Sequence, residues 1–451
     1  MRFRRMQLLL FAVSFAAGAV FMFTLGVLDG TLRERRRHAG ELDAHAAGQD
    51  EQLGLDSTRV ASESPRQRPA QIRNSADSPP QPADSPSATA TEPAATSVPT
   101  VVRGSPPTPH AVVIFAYNRP AYLERSLRSV LGRLPMDGSH TLAVSQDGDD
   151  AGVAAIVEKE GGGKILHLRH PRIQIVLGNK QKHLMGYYCL AQHYKWALDE
   201  LINRMGFESV IILEDDIEVA PDFFEYFRTM APLLDNDPSL LTVSAYSDNG
   251  QSQHVYDPSA VYRSDFFPGL GWLMTTKLWA ELGPKWPLSF WDDWLREPAN
   301  RRGRASIRPE ISRTYTFGVK KGVSSGQFSI FLKSTQLAQV KVDWQAINVQ
   351  WLDQRQYDLI FANQLGAALE VEPHKIPVQS KDCGDLRISY SSPKEFERLA
   401  KQLGLMTDLK AGVPRTGYLG VVTFRRGACR IFLAPTYAVD SETQSIVIEY
   451  S

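Results

Sequence analysis

The sequence predicts an α/β fold built on a doubly wound sheet, followed by a smaller α+β part, behind an apolar anchor and an unstructured stem. Three observations predict it. From Ala111 to Leu213 short apolar runs alternate with amphipathic stretches, the pattern of a sheet with helices on its faces. From about Tyr357 the pattern changes to short apolar runs such as 419–424 and 429–434, set apart by Gly and Pro. Ahead of Pro109 lie one long uncharged apolar segment and then a stretch without any Phe, Trp or Tyr.

In chain order, Leu8–Leu28 is 21 residues without a charge, about the length that crosses a bilayer. Arg2, Arg4 and Arg5 precede it, and Arg33, Arg35, Arg36 and Arg37 follow. A cleaved signal peptide has an apolar core of only about 7–15 residues. The expectation is therefore an uncleaved signal anchor at 8–28, with residues 1–7 cytoplasmic and the bulk of the chain in the lumen. Residues 29–107, crowded with Pro, Ser, Ala and Gln, cannot bury enough apolar area to offset ordering entropy and read as a disordered stem.

The head divides into 108–318, a loop and linker at 319–356, and a C-terminal domain at 357–451. Ala111–Tyr117 reads as a strand. Asn118-Arg119-Pro120 opens a helix whose Leu123, Leu127, Val130 and Leu131 share a face. Leu142–Ser145 and Ile173–Leu177 read as the second and third strands. The helix after them carries a core-facing stripe of Tyr187, Leu190, Ala191, Tyr194, Leu198 and Leu201. Ser209–Leu213 is the fourth strand. Ligands of doubly wound sheets sit beyond the carboxyl ends of the strands. Arg119, Asp147 and Asp216 each follow a strand, so all three are expected in one crevice.

Composition narrows the function. Of 451 residues 43% are hydrophobic, and 50 basic side chains balance 50 acidic ones. That balance argues against a general nucleic-acid binder, which needs a net basic face. Three cysteines, Cys189, Cys383 and Cys429, allow at most one disulfide and show no zinc spacing.

Three constellations carry chemistry. Val210–Phe223 (VIILEDDIEVAPDF) drops from an apolar run into Glu214, Asp215 and Asp216, followed by Glu218 and Asp222. Carboxylates so close repel. Either they are a solvated strand end, or they hold a hard divalent cation that keeps positions open for substrate phosphates. Phe290–Trp294 (FWDDW) sets Asp292 and Asp293 among aromatics, where poor solvation raises a carboxylate's pKa and marks a working site. The alternative is that Asp293 is a helix N-cap. Phe317–Phe328 (FGVKKGVSSGQF) is a glycine-hinged basic loop suited to folding over phosphates, or an ordinary surface loop. His193 lies beside the apolar stripe of its helix, where a histidine is usually a satisfied polar residue.

The strings ILEDDIEVAPDFFEYF, YRSDFFPGLGW, PKWPLSFWDDW and GRASIRPEISRTYTFG occur in order from residue 212 to residue 318. Together they resemble the Golgi N-acetylglucosaminyltransferase I family. The resemblance implies a nucleotide-sugar-binding domain of GT-A type with a Rossmann-like mixed sheet, plus a smaller C-terminal domain. It implies transfer of GlcNAc from UDP-GlcNAc, with inversion, to the 2-hydroxyl of the α1,3-linked mannose of a high-mannose N-glycan on a glycoprotein. It also implies a single-pass Golgi membrane protein with a lumenal catalytic domain. By the same resemblance Asp216 is the Mn²⁺ ligand and Asp292 the catalytic base. Arg119, Asp147, His193, Glu214, Asp215 and Ser324 bind the donor. The family's cysteines are replaced here by Tyr117, Gly148, Thr242 and Ser306, and Lys320–Lys321 lengthens the loop by one residue. An O-mannose β1,2-GlcNAc transferase and a glycan-binding protein without catalysis are the competing readings. An intact Asp216 and Asp292 speak against the second.

Overall fold

The computed structural model describes residues 110–318, 325–377 and 383–436. The predicted anchor, the stem and Ser324 lie outside the described residues. Strand β1 (His110–Ala116) is the centre of a five-stranded sheet. It pairs in parallel with β2 (His140–Asp147) on one side and with β4 (Ser209–Glu214) on the other. Strand β3 (Leu166–His170) lies outside β2 in parallel, and β8 (Trp272–Thr275) runs antiparallel along β4. The order is β3-β2-β1-β4-β8, a mixed sheet whose winding reverses between β1 and β4.

Residues 111–116 are all at most 3% exposed because the strand is covered on both faces. Alternation along it decides which layer each side chain enters. Val112, Ile114 and Ala116 join one core with Leu123, Leu127 and Val130 of helix α1 (Pro120–Leu131). Ala111, Val113 and Phe115 join the other with Ala191, Tyr194 and Leu198 of helix α3 (Met185–Leu198). Pro120 sits in the first turn of α1, where a missing N–H leaves nothing unsatisfied. Helix α2 (Ala151–Gly161) is capped by the Asp150 side chain accepting from Val153 N and ends at Gly162 in the left-handed region, φ 49°.

The third strand corrects the sequence reading. It is Leu166–His170, not 173–177, and Ile173 and Val176 are 53% and 95% exposed in irregular chain. β3 is an edge strand in which Arg169 is exposed and His167 Nε2 lies 2.9 Å from Gln146 Oε1 of β2, and Pro171 ends it.

Short strands frame the acidic turn. β5 (Ile217–Val219) pairs antiparallel with β10 (Thr314–Thr316). Helix α4 (Phe223–Met230) buries Phe223, Tyr226 and Phe227 behind it. A three-stranded sheet of β6 (Leu240–Val243), β9 (Ala305–Pro309) and β7 (Val261–Ser264) follows. Thr242 and Ser306 face each other in its register, where the resemblance places cysteines. Helix α5 (Trp291–Arg296) lies between β8 and β9, α6 (Ser325–Ser334) follows β10, and α7 (Gln354–Ala367) runs through residue 357.

The C-terminal sheet contains β11 (Leu369–Glu370), β12 (Leu386–Tyr390), β15 (Gly417–Tyr418), β16 (Val421–Arg426) and β17 (Cys429–Pro435) in the order β11-β12-β17-β16-β15. Helix α8 (Pro393–Leu403) packs Phe396, Leu399 and Leu403 against it. A disulfide joins Cys383 to Cys429, and Cys189 is free. A small hairpin of β13 (Leu409–Lys410) and β14 (Val413–Pro414) precedes β15 in the chain. Asp265 N donates to Gly417 O at 2.7 Å, which seats this part against β7.

Candidate active site

A cleft of about 470 Å³ opens at the carboxyl ends of β1, β2 and β4. The β1–α1 turn places Arg119 at its floor, and the turn after β4 places Asp215 and Asp216 opposite. Arg119 pairs with the Asp215 carboxylate, and its Nη1 lies 3.2 Å from Asp216 Oδ2. This contact spans the point where the sheet reverses its winding, so the strand order itself brings the two turns together. Asp215 N donates to Phe115 O at 3.0 Å and Phe317 N to Asp216 O at 2.9 Å, fixing the acidic turn between β1 and the end of β10. Gly318 packs so closely that any Cβ there would collide with the Asp216 carboxylate.

Burial is the largest influence on these acids. It raises Asp216 above its ordinary value against the pull of Arg119, pushes Asp215 up to about 6 and, with repulsion from Asp216, takes Glu214 to about 7. The solvated-strand-end alternative therefore fails for the triplet. Tyr194 donates to Glu214 Oε1 at 3.0 Å and is stacked between Phe115 and Trp291, with ring centroids 4.0 and 4.6 Å away. The two acids that follow do other work. Glu218 binds Arg125 on the surface, whereas Asp222 is fully buried and takes Arg313 at 3.1 Å and Trp344 Nε1 at 2.8 Å. Asp222 ties chain segments together and is not part of the cleft.

The other end of the cleft is built on β2 and β3. Asp147 closes β2 and is 5% exposed. His170 Nδ1 donates to its Oδ1 at 2.8 Å, and Arg172 Nε stands 3.8 Å from Oδ2. His193 is 2% exposed, Nε2 lies 2.8 Å from Ser145 Oγ, and its ring stacks on His170 at 5.3 Å. It is thus the satisfied histidine expected from its position, and it also lines the cleft.

Burial lowers His193 to about 3, and His140, His167 and His254 to about 4. A histidine held below its unfolded value contributes stability that is complete above about pH 6.5 and is lost as pH falls through the folded pKa. His254, which does not line the cleft, has Nε2 3.0 Å from Gly404 O, and a carbonyl oxygen only accepts, so Nε2 carries the proton. His254→Asn is expected to flatten the pH dependence of denaturant unfolding between pH 6.5 and 4, by about 3 kcal/mol at the acid end. Identical slopes for parent and variant would remove the histidine from that dependence.

Asp292 enters from helix α5. Arg296 Nη1 donates to Asp292 Oδ2 and Asp293 Oδ1, each at 2.8 Å, while its Nε donates to Phe267 O. Lys410 of the β13–β14 hairpin reaches Asp293 Oδ2 at 3.0 Å. Two expectations are corrected here. The Asp292 side chain is 41% exposed, not sealed among aromatics, because Trp291 turns into the core and leaves the carboxylate at the cleft edge. Asp293 is not an N-cap, since that position is Phe290 at φ 50°. Burial raises Asp293, but the Lys410 and Arg296 partners outweigh it and leave it below its ordinary value.

The structure thus brings Arg119, Asp147, His193, Glu214, Asp215, Asp216 and Asp292 to one cleft. Sequence reasoning missed His170, Arg296 and Lys410. Arg296 had a signal, its spacing of three and four residues from the two acids on one helix. The other two had none, because they arrive from distant segments.

Among the described residues no three acidic, histidine or cysteine groups converge as a preformed metal cage. An all-oxygen turn whose acids are buried and mutually repelling still fits a hard cation that takes one protein carboxylate and completes its shell with phosphates and water. The GNT-I family model matches residues 84–445. The alpha-1,3-mannosyl-glycoprotein 2-beta-N-acetylglucosaminyltransferase of Arabidopsis thaliana is 43% identical over 327 residues, 72% of this chain and 73% of that protein. The chain belongs to the GNT-I family. Solved structures with some likeness include S. aureus TarS 1–349 in complex with UDP-GlcNAc (13% identity, TM-score 0.32, 59% of this chain and 69% of that one). Another is the mannosyltransferase PcManGT from Pyrobaculum calidifontis in complex with GDP-Man and Mn²⁺ (14%, TM-score 0.31, 45% and 56%).

Proposed function

We propose that this chain is an inverting β1,2-N-acetylglucosaminyltransferase of GT-A type. It moves GlcNAc from UDP-GlcNAc to the α1,3-linked mannose of an N-glycan core. The observation that carries the reading is a single cleft with the buried acidic turn at the sheet's reversal point and Asp292 at its edge. Inversion needs one in-line displacement. The acceptor hydroxyl loses its proton and bonds to the anomeric carbon as the bond to the diphosphate breaks. Arg296 occupies Asp292 Oδ2, so Oδ1 is the oxygen available to take that proton. Asp216 would hold a divalent cation, Mn²⁺ in the family reading, which neutralises charge on the leaving diphosphate. Arg119 anchors the Asp215 and Asp216 carboxylates, and Ser324 belongs to the loop assigned to the donor. The segment 8–28 and the stem support placement as a single-pass Golgi protein.

Asp147 with His193 supports a uracil subsite, in which a carboxylate oxygen accepts from the base N3–H. His170 sets the direction of that carboxylate. His170→Leu should raise the donor KM about tenfold with the acceptor KM unchanged, since a hydrogen bond to a buried charge is worth roughly 1.5–3 kcal/mol. His170→Gln keeps a donor and should restore most of the loss. Equal effects of both variants would deny the positioning role.

The test of function is transfer from UDP-GlcNAc with Mn²⁺, offered a five-mannose N-glycan and an O-mannosyl peptide, with and without EDTA. Transfer to the N-glycan, abolished by EDTA, is the expected result. Transfer to the peptide alone would replace the acceptor assignment, and glycan binding without transfer would replace the enzyme reading.

A further inference from the structure

Beyond Asp292 the cleft continues to a second polar group that the donor and the base leave unused. Asp248, in the chain after β6, is 3% exposed and lines the cleft with Tyr246, Phe328, Met406 and Arg415. Its Oδ1 takes Arg415 Nη1. Its Oδ2 is buried and has no hydrogen-bond partner among the described residues. Leaving such an acceptor unpaired is destabilising by about 1–3 kcal/mol or more for a charged group. Arg415 is itself locked, with Nε donating to both Asp408 oxygens at 2.8 and 2.9 Å.

This pair is next to the reacting end. The Phe266 ring has the Arg415 guanidinium 4.9 Å from its centroid and the Arg296 guanidinium 4.7 Å from it. Arg296 is the residue that holds Asp292. Asp292 and Asp248 line the same cleft, so a ligand with an oxygen at Asp292 has room to extend to Asp248. The local charges select its class. The three cations Arg296, Lys410 and Arg415 are each paired, and they face four carboxylates, Asp248, Asp292, Asp293 and Asp408. Among these described residues no surplus cation awaits an anionic acceptor. An orphan carboxylate oxygen needs a hydroxyl or amide donor.

We propose that Asp248 is the acceptor-sugar contact of this cleft. Its Oδ2 accepts from a ring hydroxyl of a neutral hexopyranoside whose neighbouring hydroxyl lies at Asp292. Arg415 is a positioning residue that keeps the carboxylate in place. The inference rests on the transferase reading above and on Asp292 as the base.

The experiment uses the full chain in detergent, with UDP-GlcNAc, a mannoside acceptor and the set of its monodeoxy analogues. Asp248→Asn is expected to raise the acceptor KM at least tenfold, with the donor KM and the UDP dissociation constant unchanged. One monodeoxy mannoside should show a similar rise with the parent enzyme and no further rise with Asp248→Asn, the non-additivity of two changes to one contact. A 6-phosphorylated mannoside should be a poorer acceptor than the neutral one by about tenfold or more. An unchanged acceptor KM, or full additivity for every deoxy analogue, would overturn the proposal. If Asp248→Asn loses UDP binding and is misfolded, Arg415→Lys with the same deoxy series decides the matter on the same criteria. Failure of the parent to transfer to any mannoside would instead sink the transferase reading.

Discussion

Asp292→Asn lowers kcat by about 10²–10⁴, the usual worth of a general base, with the UDP dissociation constant unchanged. The substitution keeps shape and keeps an oxygen for Arg296 to donate to, so helix α5 and its tie to Phe267 O survive. What it removes is the ability to accept the acceptor proton at the second oxygen. Because the side chain is 41% exposed at the cleft edge, its replacement leaves no buried hole, and a loss of folding is not expected to mimic a loss of chemistry. Single-turnover kinetics with UDP-GlcNAc and a five-mannose glycan separate the two, since a base acts on the chemical step and not on donor capture. Near-normal turnover would take Asp292 out of the role. The same assay run on Asp293→Asn should show a much smaller effect, because Asp293 faces Lys410 and Arg296 and its charge serves their placement.

How much of this was legible depends on whether the determining contacts are local. β1 and β4 are continuous apolar runs buried on both faces, so AVVIFA and VIIL announce themselves. β3 is an edge strand that alternates with His and Arg, and the more apolar IQIVL beside it was the natural misreading. The acidic triplet and Arg119 were readable as a pair of turns because strand order alone puts them together. The surroundings of FWDDW were not. The left-handed backbone at Phe290 turns Trp291 inward and the acids outward, and nothing in so short a window fixes that. Lys410 meets Asp293 across 117 residues, and Arg415 meets Asp248 across 167. Contacts of that span carry no local period and emerge only once the C-terminal part docks.

Asp216→Ala abolishes cation-dependent donor binding, and EDTA does the same to the parent. Three consecutive acids at this turn are raised above their ordinary range, Glu214 to about 7 and Asp215 to about 6, chiefly by burial. Only Arg119 among the described cations reaches two of them. That single positive charge leaves the turn electrostatically incomplete, so a divalent cation should stabilise the folded protein by mass action, about 2.7 kcal/mol at a concentration 100 times its dissociation constant. In Asp216→Ala this stabilisation should vanish while the apo protein is no less stable, since Arg119 then serves Asp215 alone and one repelling charge is gone. Gly318→Ala tests the same site from outside the triplet. Its Cβ has to displace the Asp216 carboxylate, so it should weaken cation-dependent UDP binding by about tenfold or more without removing any charge. Calorimetry of UDP with and without Mn²⁺ on the three proteins is the measurement. Binding in the parent that is indifferent to both Mn²⁺ and EDTA would mean that the carboxylates are held apart by protein alone and that Asp216 is no ligand. A loss confined to Asp216→Ala, with Gly318→Ala unaffected, would mean that the turn has room to move and that its charge, not its fixed placement, is what the donor senses.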